Sequence, residues 1–228
     1  DDAPMKATLA FDVYGTLVDP LGIAETLRGF VGDRAAAFAQ AWREKQLEYT
    51  FRRGLMRRYR DFDVCTREAL GHVDARFGTR LSPAAVDALM ARYLELPAYG
   101  DAVEAVSNLR ELGHRVYAFS NGRPDQLLQL LQFAGLLELL DGVVSVDPVA
   151  SFKPDPAVYR HFLEAADSAA TDTWLVSGNP FDVIGARSAG WNAAWIRRDP
   201  AAVFDPWGIE PTLTVTSLMG LAAALPRH

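Results

Sequence analysis

The hydrophobic pattern begins with an apolar run, "ATLAF" at residues 7–11, that stops on a single acid, Asp12. Four further runs resemble it: "RVYAFS" ending at Ser120, "GVVSV" from Gly142, "TWLVS" ending at Ser177 and "AAWI" ending at Ile196. Their near-continuous apolar character marks strands covered on both faces. Between them lie stretches of helical length: Asp101–Leu112, Pro124–Phe133, Pro154–Ala166 and Asp182–Ala189. Strands alternating with helices predict parallel pairing and a doubly wound, Rossmann-like α/β sheet. Residues 20–98 interrupt this alternation with long helical patterns and no convincing strand, and Pro97 and Gly100 close them off. The pattern predicts a core from residues 1–19 and 99–228, with 20–98 inserted as a helical cap. Ligand sites favour such domain boundaries.

Ligands of open parallel sheets bind beyond the carboxyl ends of the strands. Asp12, Ser120-Asn121, Lys153 and Ser177-Gly178-Asn179 all fall at or just after such ends. Each alone reads as an ordinary turn or surface residue. Together they come from distant segments that the sheet would bring to one rim.

Composition narrows the chemistry. The 228 residues are half hydrophobic, enough for one substantial core. The net charge of −6, with no basic tail, argues against a nucleic-acid partner. A small anionic substrate stays compatible if a few cations line its pocket. Cys65 is the single cysteine, which excludes an intrachain disulfide and a cysteine metal cluster. It also suits a reducing compartment, so a cytoplasmic location is expected. No stretch is long and apolar enough to span a membrane. The opening "DDAPMK" lacks the apolar centre of a signal peptide, and Met5 is expected to be the natural start, with Asp1–Pro4 added ahead of it. His72, His114, His161 and His228 stand outside the strand-end motifs, and no Gly-x-Ser-x-Gly elbow is present.

The ordered set "FDVYGTLVD", "SNG", "KPDP" and "SGNPFD" resembles the haloacid dehalogenase superfamily of hydrolases over nearly the whole chain. Most of that superfamily are magnesium-dependent phosphatases with Asp-x-Asp in the first motif. Here the second acid is Tyr14, and a phenol with an ordinary pKa of about 10 is a poor base at neutral pH. The last motif of the phosphatases places an acid four residues ahead of a second one. Four residues before Asp182 stands Gly178, which offers no oxygen to a metal that demands them. The phosphatase alternative is therefore disfavoured, and no metal or cofactor is expected.

The same departures resemble the L-2-haloacid dehalogenase branch, which keeps the nucleophile, places Tyr after it and works without metal. "AWREKQLEYTFRRGLMRRY" from Ala41 resembles its cap helix, and "KPDPAVY" its lysine–tyrosine pair. Its last motif commonly reads Ser-Ser-Asn, where this chain has Ser177-Gly178-Asn179. The resemblance implies that Asp12 displaces halide from the carbon beside a carboxylate and that water then hydrolyses the resulting ester. An L-2-haloacid would give a D-2-hydroxy acid. Lys153 is expected to keep Asp12 ionised, and Tyr159 to hydrogen-bond into the same cluster. Thr16, Ser177 and Asn179 would fix the Asp12 rotamer. Tyr14 and Ser120 would help to hold the substrate. Arg43, Asn121 and Phe181 would form the halide cradle. Asp182 would position or activate the hydrolytic water. Arg43, Leu47, Phe51 and Leu55 recur every four residues and predict one helical face over the site. The branch commonly forms homodimers, and the apolar cap face is the expected contact.

Overall fold

The computed structural model describes residues 6–226. The expected start at Met5, and His228, lie outside them. The chain runs β1 (Thr8–Phe11), α1 (Ile23–Val31), α2 (Ala35–Leu55), α3 (Phe62–Phe77), α4 (Pro83–Arg92), α5 (Ala102–Glu111), β2 (Arg115–Ser120), α6 (Pro124–Phe133), β3 (Gly142–Ser145), α7 (Pro156–Ala166), β4 (Thr173–Ser177), α8 (Pro180–Ser188), β5 (Asn192–Ile196), β6 (Leu213–Val215) and α9 (Leu221–Ala224).

The six strands form one sheet in the order β3-β2-β1-β4-β5-β6, and every pairing is parallel. All residues of β1 and β4 are buried, as their unbroken apolar runs require of central strands. The chain leaves β1 toward β2 and β3, then returns to the other side of β1 at β4. That reversal places a crevice at the carboxyl ends of β1 and β4. Register fixes what faces it. Phe11 pairs with Val176, so Asp12 emerges beside Ser177. Under the sheet, Phe119, Tyr159, Phe162 and Trp191 pack with ring centroids 5.0–6.0 Å apart.

Two boundaries differ from the sequence pattern. α8 starts at Pro180, ahead of the expected Asp182, because proline's fixed φ suits the first helical position. α7 starts at Pro156, capped by the Asp155 carboxylate accepting from the Ala157 amide at 2.8 Å. The short strand β6 has no counterpart in the five predicted runs. It is a three-residue edge strand, only partly buried.

Residues 20–98 contain helices α1–α4 with short 3₁₀ turns and no strand of the sheet. Their two ends run side by side. The Tyr99 amide donates to the Leu17 carbonyl at 2.9 Å, and Asp19 donates to Pro97 at 3.3 Å. Asp61 caps α3 and Ser82 caps α4, each accepting a backbone N–H from the first turn. The Trp42 indole of α2 donates to the Thr66 carbonyl of α3 at 2.8 Å.

Candidate active site

Asp12 leaves β1 into a ring of donors. One oxygen, Oδ2, accepts from Asn179 Nδ2 at 2.5 Å, Ser177 Oγ at 2.9 Å and Thr16 Oγ1 at 3.3 Å. The other, Oδ1, accepts from the Val13 amide at 2.9 Å and from Lys153 Nζ at 3.3 Å. These bonds come from β1's own loop, the end of β4 and the loop before α7. Thr16, Ser177 and Asn179 all bond to the same oxygen, Oδ2, and fix the carboxylate from one side.

Lys153 is 1% exposed and uses all three of its protons. Beyond Asp12 it donates to Asp182 Oδ2 at 2.7 Å and to the Phe119 carbonyl at 2.8 Å, and it lies 4.2 Å from the centre of the Phe119 ring. Its shorter ion pair is thus with Asp182, and the one with Asp12 is longer. Tyr159 donates to the other Asp182 oxygen at 2.8 Å. Asp182 is wholly buried, because α8 begins early and turns its first coil into the core. Burial pushes its carboxyl up to about 6, against the pull of the Lys153 ammonium. Burial likewise raises the Tyr159 phenol, which therefore stays a donor. Both Asp182 oxygens face protein donors.

The loop after β1 is gripped from three sides. Gly15, at φ +86°, turns it where a side chain would press on the Asn179 amide, 3.2 Å from an added Cβ. The Gly178 amide donates to Thr16 Oγ1 at 2.8 Å, and Asn179 Nδ2 donates also to the Tyr14 carbonyl at 2.9 Å. Arg198, past β5, donates to the Thr16 carbonyl at 2.9 Å and forms a two-pronged ion pair with Asp101 at 2.9 and 3.1 Å. The Tyr14 side chain, 4% exposed, packs against Phe62 and Tyr93 with centroids 5.1 and 5.6 Å away. At the place of a second acid, the chain has an aromatic plug joining the core loop to the helical segment.

Asp12, Tyr14, Ser120, Asn121, Lys153, Asn179 and Phe181 meet Arg43, Leu47 and Phe62 around a small cavity of about 10 Å³. That is room for about one water molecule. Arg43 donates to the Tyr14 carbonyl at 3.3 Å and to Gln46 Oε1 at 2.8 Å. Asn121 Oδ1 accepts from the Lys153 amide at 3.0 Å, which leaves its NH₂ for other acceptors. Ser120 Oγ accepts from the Gly122 amide at 3.1 Å and keeps its own proton to give. Thr16, Ser177, Asp182 and Tyr159 stand behind the cavity wall. The predicted helical face holds for Arg43, Leu47 and Phe51. Leu55 is 88% exposed, because a spacing of four drifts about 40° per step on a helix of 3.6 residues per turn. Phe62 and Gln46 went unread. Phe62 follows the capping Asp61, where an apolar residue signals only a helix start, and Gln46 looks like any polar helix residue.

A divalent cation does not fit these donors. Both Asp12 oxygens face hydrogen-bond donors, the Tyr14 carbonyl accepts from Asn179 and Arg43, and residue 178 has no side chain. Among the described residues, no group of three or more His, Cys, Asp or Glu side chains is arranged to hold a metal. Likewise, no helix among them is long and apolar enough to cross a membrane.

A doubly wound sheet with a buried Asp–Lys–Asp constellation at its switch point defines a class of hydrolase. The sequence model of the haloacid dehalogenase-like hydrolases matches residues 6–190, and the chain belongs to that family. Within it, the chain is similar to several (S)-2-haloacid dehalogenases. The chain is 34% identical to the one from Pseudomonas sp. (strain YL), over 92% of this chain and 90% of that protein. It is 36% identical to the one from Xanthobacter autotrophicus, over 85% of this chain and 76% of that protein. The solved L-2-haloacid dehalogenase of Xanthobacter autotrophicus superposes with a TM-score of 0.91 at 31% identity, covering 96% of this chain and 98% of that one. The same enzyme with chloropropionic acid covalently bound gives 0.91 at 30% identity, covering 97% and 100%.

Proposed function

We propose that this protein hydrolyses short L-2-haloacids, haloacetates and 2-halopropionates among them, to D-2-hydroxy acids through an ester on Asp12. The observation that carries this reading is the Asp12 carboxylate, held by five donors at a small cavity whose opposite wall is Arg43. An Asp12 oxygen bonds to C2 as the carbon–halogen bond breaks, and the halide leaves with the bonding electrons. Attack from behind inverts C2. Water then adds to the Asp12 carbonyl carbon, the hydroxy acid leaves with the oxygen that Asp12 supplied, and one proton is released. Two easier steps replace one hard one.

The residues divide the work by charge. Substrate and nucleophile are both anions, and like charges at low dielectric repel strongly. Lys153 offsets that repulsion beside Asp12. Ser120 donates its free proton to the substrate carboxylate. Arg43 and the Asn121 NH₂ receive the halide against Phe181, and Tyr14 fixes the wall between them. Once Asp12 is esterified it no longer holds Lys153. The ammonium shifts toward Asp182 and Phe119, and Asp182 serves as the base for the water through the space it leaves. Residues 20–98 act as the cap over residues 1–19 and 99–228, supported by their paired ends. The assembly in this reading is a homodimer, supported by exposed Leu55 and Met56 at the end of α2. A cytoplasmic location is supported by the one buried, unpaired thiol, Cys65. The donor set speaks against a magnesium-dependent phosphatase.

A single turnover of chloroacetate in heavy-oxygen water tests the scheme. The label is expected in the Asp12 carboxylate, found by peptide mass analysis, and not in the first glycolate formed. Label appearing directly in the glycolate of that turnover overturns it.

A further inference from the structure

Gln46 is a polar side chain with no exposure, in the middle of α2. A buried amide is costly unless its groups are bonded. Here they are, and in one consistent direction. Thr66 Oγ1 donates to the Phe62 carbonyl at 2.7 Å, one helical turn back. That leaves its oxygen to accept from Gln46 Nε2, also at 2.7 Å. The amide is thereby fixed with its oxygen turned toward Arg43. Oε1 accepts from Arg43 Nη1 at 2.8 Å and from Tyr93 OH at 3.1 Å. Burial keeps the Tyr93 phenol protonated, so it donates. The second Arg43 nitrogen reaches the Tyr14 carbonyl.

Both acceptors of Arg43 are neutral. A carboxylate in place of Gln46 would have the same shape and would cancel the guanidinium charge at the cavity wall. An amide aims the group and leaves the charge for an anion. We infer that Gln46 is a positioning residue for the halide site: locked by Thr66 and Tyr93, it holds Arg43 over Asp12 without neutralising it. The inference rests on the reading of Arg43 as the halide donor given above.

The test is a mutant cycle on kcat/KM for chloroacetate and on inhibition by bromide. Arg43→Met alone is expected to lose most of its kcat/KM, leaving a low but measurable rate. If kcat/KM is undiminished, the halide reading of Arg43 fails, and this inference with it. Gln46→Glu is expected to lower kcat/KM by about ten- to a hundredfold and to weaken bromide inhibition similarly, the scale of a charge-assisted hydrogen bond. In the Arg43→Met background the same change is expected to do nothing further. With Arg43→Met strongly reduced but still measurable, undiminished activity in Gln46→Glu, or losses that multiply in the double variant, overturn the positioning role alone. Thr66→Val, which frees the far end of the amide without adding charge, carries the same cycle if Gln46→Glu fails to fold.

Discussion

Gly178 sits so close to the carbonyl oxygen of Gly15 that a Cβ at 178 would overlap it. The missing side chain lets the loop after β1 lie directly on the loop after β4. That contact brings the Gly178 amide to Thr16 and the Asn179 amide to both Asp12 and Tyr14. A serine at this position, common in the branch the sequence resembles, would push the two loops apart.

Gly178→Ser is therefore expected to destabilise the protein by about 1–3 kcal/mol, the usual range for overpacking against backbone. It should also lower kcat by about tenfold or more, since small displacements of a nucleophile are expensive. Urea melts and halide release measure the two effects. Unchanged stability and rate would show that the loops have room to spare.

Asp12→Asn should reduce halide release from chloroacetate to background while the protein still melts cooperatively. The amide keeps the shape but supplies no attacking carboxylate. Turnover near the normal rate would place the nucleophile elsewhere.

In the proposed scheme Asp182 links the second step to pH. Its carboxyl is raised from 3.8 to about 6, so it gains a proton as pH falls through about 6. Steady turnover should fall there, while the first burst of halide persists, because the burst needs only Asp12. Stability moves the opposite way. The native state keeps this proton at pH values where the unfolded chain has lost it. The group's contribution to stability is fully present below about 3.8 and is lost as pH rises through about 6. Asp182→Asn should release about one equivalent of halide and then stop, with the ester trapped on Asp12. Sustained turnover by that variant would remove Asp182 from the hydrolytic step.

Phe51 and Phe181 meet edge to face with centroids 5.0 Å apart, Phe181 lining the small cavity and Phe51 standing just outside it. Beyond Phe51 lies a groove of about 370 Å³ that shares Lys153 with the cavity. Phe51→Ala should join the two spaces and raise kcat/KM for 2-chlorohexanoate relative to chloroacetate by about tenfold, the scale of added methylene contacts in an apolar pocket. An unchanged ratio would mean that chain length is limited elsewhere.

The strand-end residues were legible because a parallel sheet leaves little choice. An unbroken apolar run must be central, and whatever follows it lands on the rim. That argument placed Asp12, Ser120 and Ser177 without coordinates. It did not reach pairing distances. Lys153 stands between two acids, and its closeness to Asp182 depends on how α8 begins, which Pro180 decides. Leu55 shows the limit of counting by fours along a helix. β6 escaped because three partly exposed residues at an edge carry too little pattern. Gln46 escaped for the opposite reason: its meaning lies in Thr66 and Tyr93, which are distant in sequence and unremarkable alone.

Arg198 grips the Thr16 carbonyl while paired with Asp101, which in turn accepts from the Leu218 amide at 2.8 Å. All the motif residues lie before position 190, where the family match ends, yet Arg198 and Leu218 of this clasp lie after it. A chain cut at that point would retain Asp12, Lys153 and Asp182 and lose the strap that keeps the Asp12 loop seated. The tail contributes no chemistry, but the chemistry leans on it.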